Sequence, residues 1–176
     1  MSKNRNKSSS RINLRVWLII PDAEAATVKN TLIRRMGYGD ILADVKKERL
    51  FSIDVDCGDP QELAKAFAKE LVNENKESYK ASFDEVKFEP GYVPVKVALK
   101  IEDGEAISIM YRLRNRLGFE NVKGVEKATV WKLYLKGANQ ENQKKQVKVA
   151  REIAEGLLTN PNKDSYEVMA RQKIVV

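Results

Sequence analysis

Apolar and polar residues alternate near the start of the chain and again near its middle, which predicts a strand at each place. The apolar positions are Leu14, Val16, Leu18 and Ile20, and then Val95, Val97, Leu99 and Ile101. Each strand is followed by an apolar stripe at spacings of three and four, which predicts an amphipathic helix. The stripes are Ala25, Val28, Leu32 and Met36, and then Ala106, Ile109, Leu113 and Leu117. Gly37 and Gly118 are placed to end these helices, because glycine readily adopts the left-handed C-cap conformation.

Beyond each helix the pattern predicts a β-hairpin, formed by residues 41–45 with 49–56 and by 122–126 with 129–136. A second helix is expected to begin at Asp59, where an N-cap acid precedes Pro60. The stripes of the second helices are Leu63, Ala66, Phe67 and Leu71, and then Ala150, Ile153, Ala154 and Leu158. The later helix follows a polar run, residues 140–146, and should be longer at that end. Segments 79–88 and 166–176 contain possible edge strands.

These paired elements belong to an internal repeat. The following residues recur 81 positions later: Val16, Leu18, Asp22, Glu24, Ala25, Leu32, Arg35 and Gly37. The spacing becomes 80 from Val45 to Val55, and 87 where residues 75–79 return as 162–166. The second copy has therefore gained seven residues ahead of its second helix.

The domain organisation follows from the repeat and from one break in the pattern. Glu89-Pro90-Gly91 continues neither a helix nor a strand easily, so it separates the copies. We predict a disordered basic tail over residues 1–12 and α+β modules over 13–88 and 92–176. Each ferredoxin-like βαββα module would place two helices on one face of a small antiparallel sheet, and the two modules would form a pseudo-dimer.

Composition and charge narrow the range of functions. The formal net charge is +7, but four of the cations are Lys3, Arg5, Lys7 and Arg11 in the predicted tail, and 28 basic residues against 25 acidic ones remain. A basic tail on a nearly balanced body favours a solvated extension over a nucleic-acid surface. The sequence has neither a membrane-length apolar run nor an apolar core near Met1, so we expect a cytoplasmic protein without membrane contact.

The residue types needed for common catalytic and metal sites are missing or wrongly spaced. The chain has no histidine and one cysteine, Cys57, which lies beside acids that would raise the pKa of a thiol. Asp54, Asp56 and Asp59 do not fit a calcium loop, and Asp59 is better explained as a helix cap. Gly37-Tyr38-Gly39 follows a helix rather than a strand, unlike a nucleotide loop. We therefore predict no catalytic, metal or cofactor site on this chain.

The sheet face away from the helices is predicted to be apolar. It would carry Trp17, Ile19, Leu50, Val130 and Tyr134. A module of ~70–80 residues buries little apolar surface, so such a face requires a cover. We therefore predict that these five residues form an interface with the sister module or another chain, and that the two copies pair about a pseudo-twofold axis.

At several of these residues the chain resembles the PurS family, the small non-catalytic subunit of phosphoribosylformylglycinamidine (FGAM) synthase. Met36-Gly37-Tyr38 and Leu117-Gly118-Phe119 stand at the family's helix end. The family's closing motif is similar to residues 157–161 with Tyr166, and its remnant in the first copy is Leu71, Asn73 and Tyr79. The family's Arg-x-Gly-Lys turn is replaced by residues 46–49 and 126–129, so any contact made by that turn is in doubt.

The resemblance implies a fused dimer that bridges two other subunits in purine biosynthesis. These partners would be a PurQ-like glutaminase, which releases ammonia, and a PurL-like synthetase, which uses ATP and Mg. The chain itself would bind no cofactor, and it would belong to a ligase only as a subunit. Residues 140–146 are a candidate for asymmetric partner binding, with a solvated helix end as the alternative.

Two other functions share the same expected architecture. A ferredoxin-like RNA-binding module would explain the basic tail and the aromatic residues of the sheet, and it predicts steeply salt-dependent RNA binding. A module that binds a regulatory metabolite would explain the paired α+β units, and it predicts a ligand-dependent rise in melting temperature.

Overall fold

A computed structural model describes residues 9–169, except for the side chain of Gln140. The α+β class with an antiparallel sheet is confirmed. The strands span Ser10–Leu18 (β1), Leu42–Val55 (β2), Glu77–Phe83 (β3), Val93–Leu99 (β4), Val122–Leu135 (β5) and Asp164–Val168 (β6). The strand order is β3-β1-β2-β5-β4-β6, so β3 and β6 are edge strands, as the sequence predicts.

The helices begin and end where their capping residues lie. They span Ala23–Arg34 (α1), Pro60–Leu71 (α2), Gly104–Tyr111 (α3) and Gln143–Ile153 (α4), with π-helical continuations of α3 over Arg112–Arg116 and of α4 over Ala154–Leu158. The side chains of Asp22, Asp59 and Asp103 accept backbone N–H bonds at the starts of α1, α2 and α3. Gly37 and Gly118 have φ of +77° and +75°, which confirms both predicted helix ends.

The additional residues of the second copy lie between the end of β5 and Val147 of α4. A 3-10 turn, Gln140–Asn142, leads directly into this helix. At the spacing of 87, Pro60 corresponds to Val147, and α4 begins four residues earlier, at Gln143. The insertion therefore lengthens the helix outward, as the sequence predicts.

The two predicted hairpins are wrong, because β2 and β5 are each one continuous strand of 14 residues. The predicted turns are residues 46–49 and 126–129, and they contain no Gly, Asn or Pro to reverse the chain. The same residues fit an extended backbone, so the strand continues through them.

The described chain divides into two compact units that do not follow the sequence repeat. The first unit contains residues up to Ile19, Arg49–Lys87 and Asp103–Lys127, and the second contains Ile20–Glu48, Phe88–Glu102 and residues from Ala128 onward. The first unit thus holds β1, α2 and β3 of the first copy together with α3 of the second copy. The second unit holds β4, α4 and β6 of the second copy together with α1 of the first.

The cores of the two units show this exchange of helices directly. In the first unit Ile109 and Leu113 of the α3 segment pack in one cluster with Ile12, Phe51 and Phe67. In the second unit Ala25 and Leu32 of α1 pack in one cluster, whose other members include Val95, Trp131, Ala150 and Ile153. Each unit therefore has the expected two helices, but one of them comes from the other sequence copy.

The structure bears differently on the predicted module bounds and on the predicted tail. The division into modules over 13–88 and 92–176 stays a prediction. In the structure each of these halves contributes a helix to both cores. Of the predicted tail, residues 1–8 lie outside the described range. Residues 10–12 belong to β1, which begins three residues before the predicted module boundary at residue 13.

Candidate functional site

The five residues predicted to form an interface differ widely in exposure. In the first unit Leu50 is 1% exposed, Trp17 is half-buried and Ile19 is 59% exposed. In the second unit Val130 is fully buried and Tyr134 is half-buried. The structure therefore does not present them as one exposed apolar patch, and their role in an interface stays a prediction.

The helix-free face of the first unit carries buried polar residues beside Leu50 and Trp17. Asn13 and Arg15 of β1 and Ser52 of β2 are buried. The Ser52 hydroxyl donates to Asn13 Oδ1 at 2.7 Å, and Asn13 Nδ2 donates to the Asp84 carbonyl at 3.4 Å. Arg15 Nη1 donates to the Lys87 carbonyl at 2.8 Å. The segment after β3 thus bonds to this face.

Arg11, which the sequence places in the predicted tail, is an anchoring residue of the same face. Its guanidinium donates to both carboxylate oxygens of Asp54 at 3.2 Å and pairs with Glu126. Its backbone N–H donates to Asp84 Oδ1 at 3.2 Å. Arg11 therefore joins β1, β2, β5 and the segment after β3 within the first unit.

The helix-free face of the second unit carries a buried ion pair and an aromatic cluster. Lys132 Nζ donates to Glu48 Oε1 at 2.7 Å, with side-chain exposures of 13% and 1%. The Tyr92 ring lies 5.3 Å from the Tyr134 ring and 4.9 Å from Lys132 Nζ. Burial raises the pKa of Tyr134, an effect that Lys46 opposes and nearby carboxylates reinforce.

The helix side of each unit has one matched ion pair. Lys47 of β2 pairs with Glu24 of α1 in the second unit, and Lys127 of β5 pairs with Glu105 of α3 in the first. These lysines lie in the segments where the sequence pattern predicted turns. Their role here is to tie a long strand to the first turn of the exchanged helix.

The first unit also contains a cleft of about 410 Å³ between β2, the end of α2 and the α3 segment. We call it the arginine cleft; its walls include Arg49, Phe51, Leu71, Ile109, Arg112 and Arg116. Sequence reasoning missed this feature, because Arg49 and Arg112 are distant in the chain and belong to different copies. A signal was available in the repeat, since their counterparts, Thr129 and Thr31, are uncharged.

The three aspartates Asp54, Asp56 and Asp59 cap a helix or form ion pairs, and Cys57 lies at the surface. Asp59 caps α2, which confirms its predicted role, while Asp54 pairs with Arg11 and Asp56 with Lys123. Cys57 is exposed, and its carbonyl accepts a hydrogen bond from Asn121 Nδ2. Within residues 9–169, no three acidic or cysteine side chains are grouped so that they could hold a metal ion. No helix in that range is long and apolar enough to cross a bilayer.

Comparison with known proteins gives one family match. Residues 92–172 match the model of PurS: phosphoribosylformylglycinamidine (FGAM) synthase. No curated protein matches the sequence. The crystal structure of an unknown protein from Galdieria sulphuraria is similar over 94% of this chain and 100% of its own, with 6% identity and a TM-score of 0.24.

Proposed function

We propose that this chain is a non-catalytic bridging subunit of FGAM synthase, a ligase, because residues 92–172 match the PurS family model. It acts in de novo purine biosynthesis in the cytoplasm. It holds a PurQ-like glutaminase beside a PurL-like, ATP-dependent synthetase and carries out neither reaction itself. The family match over the second half is the observation on which this proposal rests.

The paired units support a role in joining different partners. Each unit is built from a strand pair, an edge strand and two helices, so the chain offers two related surfaces. Fusion of two copies in one chain makes their pairing intramolecular and allows the surfaces to differ. A fused pseudo-dimer can therefore bind unlike partners with its two halves.

One difference between the copies is the polar extension, Gln140 to Gln146, which we propose as a partner contact. Glu141, Asn142, Lys144 and Lys145 are exposed there. Asn139 fixes the turn, since its Oδ1 accepts from Asn142 N at 3.0 Å and its carbonyl accepts from Gln146 Nε2 at 2.9 Å. The first copy has no equivalent segment, so this surface is available for one specific partner.

Reconstitution with the two partner subunits tests the bridging role. We expect a three-component complex by size-exclusion light scattering in the presence of Mg-ADP and glutamine. Glutamine-dependent FGAM formation should fall to background without this chain, whereas formation driven by added ammonium should remain. If glutamine-dependent formation proceeds equally without the chain, the bridging proposal is wrong.

Charge reversal separates the extension from a general effect of charge. Lys144→Glu with Lys145→Glu should weaken the three-component complex. The matched control is Lys65→Glu with Lys69→Glu, two exposed lysines on α2. Equal weakening by both pairs would exclude a specific role for the extension. Steeply salt-dependent RNA binding by the isolated chain would instead favour the RNA-binding alternative.

A further inference from the structure

The arginine cleft of the first unit brings cationic side chains to an apolar wall. Its volume of about 410 Å³ falls within the ~300–1,000 Å³ of typical small-molecule sites. Phe51, Leu71 and Ile109 supply the apolar surface, and Arg49, Arg112 and Arg116 supply the charge. Apolar walls with a few charged groups are typical of sites for organic ions.

Ion pairs account for only part of the charge in this cleft. Arg49 is paired with Glu77 of β3, and Glu105 of the cleft wall is paired with Lys127. The remaining ionic groups on the wall are Arg112, Arg116 and Glu70. Two guanidinium groups against one carboxylate leave a net positive charge, which favours an anionic ligand.

Arg112 lacks an acceptor that its position requires. Its Nη2 reaches the Glu70 carbonyl at 3.4 Å, but its Nε is excluded from solvent and has no hydrogen-bond partner within the part of the chain that the structure describes. A buried donor without an acceptor is costly. Since the Arg112 side chain lines the cleft, rotation of the guanidinium can turn this N–H toward a bound oxyanion.

The local helix geometry places the second arginine nearby. Arg112 and Arg116 begin and end the π-helical segment that follows α3. The wider turn of a π-helix brings residues four to five apart onto one face. Two guanidinium groups on one wall can bind different oxygens of the same tetrahedral anion, and guanidinium groups match phosphate geometry well.

The repeat provides an internal control for the role of these arginines. At the spacings of 81 and 80, Thr31 corresponds to Arg112 and Thr129 to Arg49, while Arg35 corresponds to Arg116. The second unit is built on the same plan with threonine at two of the three positions. The fold therefore does not require these arginines.

We propose that the arginine cleft binds the phosphate group of a small phosphorylated molecule, with Arg112 and Arg116 as the main contacts. This site is independent of the bridging role. It predicts that inorganic phosphate and ribose 5-phosphate bind the full chain saturably, whereas ribose and acetate do not bind at the same ionic strength.

The test combines calorimetric titration with a matched pair of variants. Arg112→Thr installs the residue found at the same place in the second unit and should weaken ribose 5-phosphate binding about tenfold or more, because a charge-assisted contact is lost. Arg35→Gln, which alters the second unit, should leave binding unchanged. Absence of saturable binding to the unaltered chain, or equal weakening by both variants, would overturn the proposal.

A local readout keeps the test valid if Arg112→Thr affects folding. The arginine Nε–H signals of the full chain are followed by proton–nitrogen NMR during titration with ribose 5-phosphate. We expect the Arg112 signal, assigned by its loss in the conservative variant Arg112→Lys, to shift saturably. A stationary Arg112 signal, or an equal shift with acetate, would contradict a phosphate site.

Discussion

The two compact units share one plan but fill its helix-free face with different chemistry. At the same position of the long strands, at the spacing of 80, the first unit has Ser52 and the second has Lys132. Ser52 bonds to the neutral Asn13, whereas Lys132 bonds to the buried carboxylate of Glu48. This position therefore accepts a neutral or a charged residue, provided that a neighbouring strand supplies its complement.

The two units should differ most in the free energy of unfolding that is lost when each of these two pairs is broken. Lys132→Met removes one partner of a buried ion pair and should lower the free energy of unfolding by about 3–5 kcal/mol. Ser52→Ala removes a neutral donor from Asn13 and should cost about 1–3 kcal/mol. Urea unfolding followed by tryptophan fluorescence measures both, because Trp17 lies in the first unit and Trp131 in the second. Equal costs for the two variants would show that the faces do not differ energetically.

The ion pairs on the helix sides should instead behave alike. Glu24→Gln breaks the pair with Lys47, and Glu105→Gln breaks the pair with Lys127. Both glutamates are exposed, so each change should cost only about 0.2–1 kcal/mol. About 0.5 M NaCl should remove most of the difference from the unaltered protein. A much larger cost for one variant would contradict the equivalence of the pairs.

Tyr134 should make the stability of the protein depend on pH only in the alkaline range. Burial is the largest of the effects that raise the pKa of Tyr134 in the folded state. The folded protein therefore holds the phenolic proton more tightly than the unfolded chain does. Its contribution to stability is complete below pH ~10, the unfolded value, and is lost as the pH rises through the folded pKa. The melting temperature of Tyr134→Phe should therefore decline less steeply above pH ~10 than that of the unaltered protein. Parallel declines would mean that Tyr134 remains neutral or is not buried.

Local elements could be predicted from the sequence because their causes are local. The Asp22, Asp59 and Asp103 caps and the Gly37 and Gly118 ends follow from the chemistry of single residues. The two predicted hairpins are wrong because residues 46–49 and 126–129 contain no residue that would reverse the chain between their apolar flanks. Turn chemistry was the better guide there.

The exchange of helices could not be predicted from periodicity. The stripe through Leu32 or Leu113 shows that a helix face is buried, but it does not identify the strands that cover it. Buried polar residues were missed for a related reason, since Asn13 and Arg15 alternate with apolar residues as exposed strand positions do. Their burial depends on the segment after β3, whose path has no periodic signal.

The arginine cleft could not be predicted from local sequence patterns, but comparison of the two copies identifies part of it. Its charged residues come from β2 and the α3 segment, so no local motif contains them. Comparing the two copies position by position identifies Arg49 and Arg112 as charges that one copy has and the other lacks. Such differences between repeats indicate function more directly than either copy alone.

Hydrogen exchange after matched core substitutions distinguishes first helices exchanged between the units from first helices that pack within their own copy. Leu32 and Leu113 are equivalent and fully buried, so either change to Ala should cost about 2–5 kcal/mol. Leu113→Ala should speed amide exchange in β1 and α2, and Leu32→Ala in β4 and α4. If Leu113→Ala instead loosens β4 and α4 while sparing β1 and α2, each helix packs within its own copy and the exchanged arrangement is contradicted.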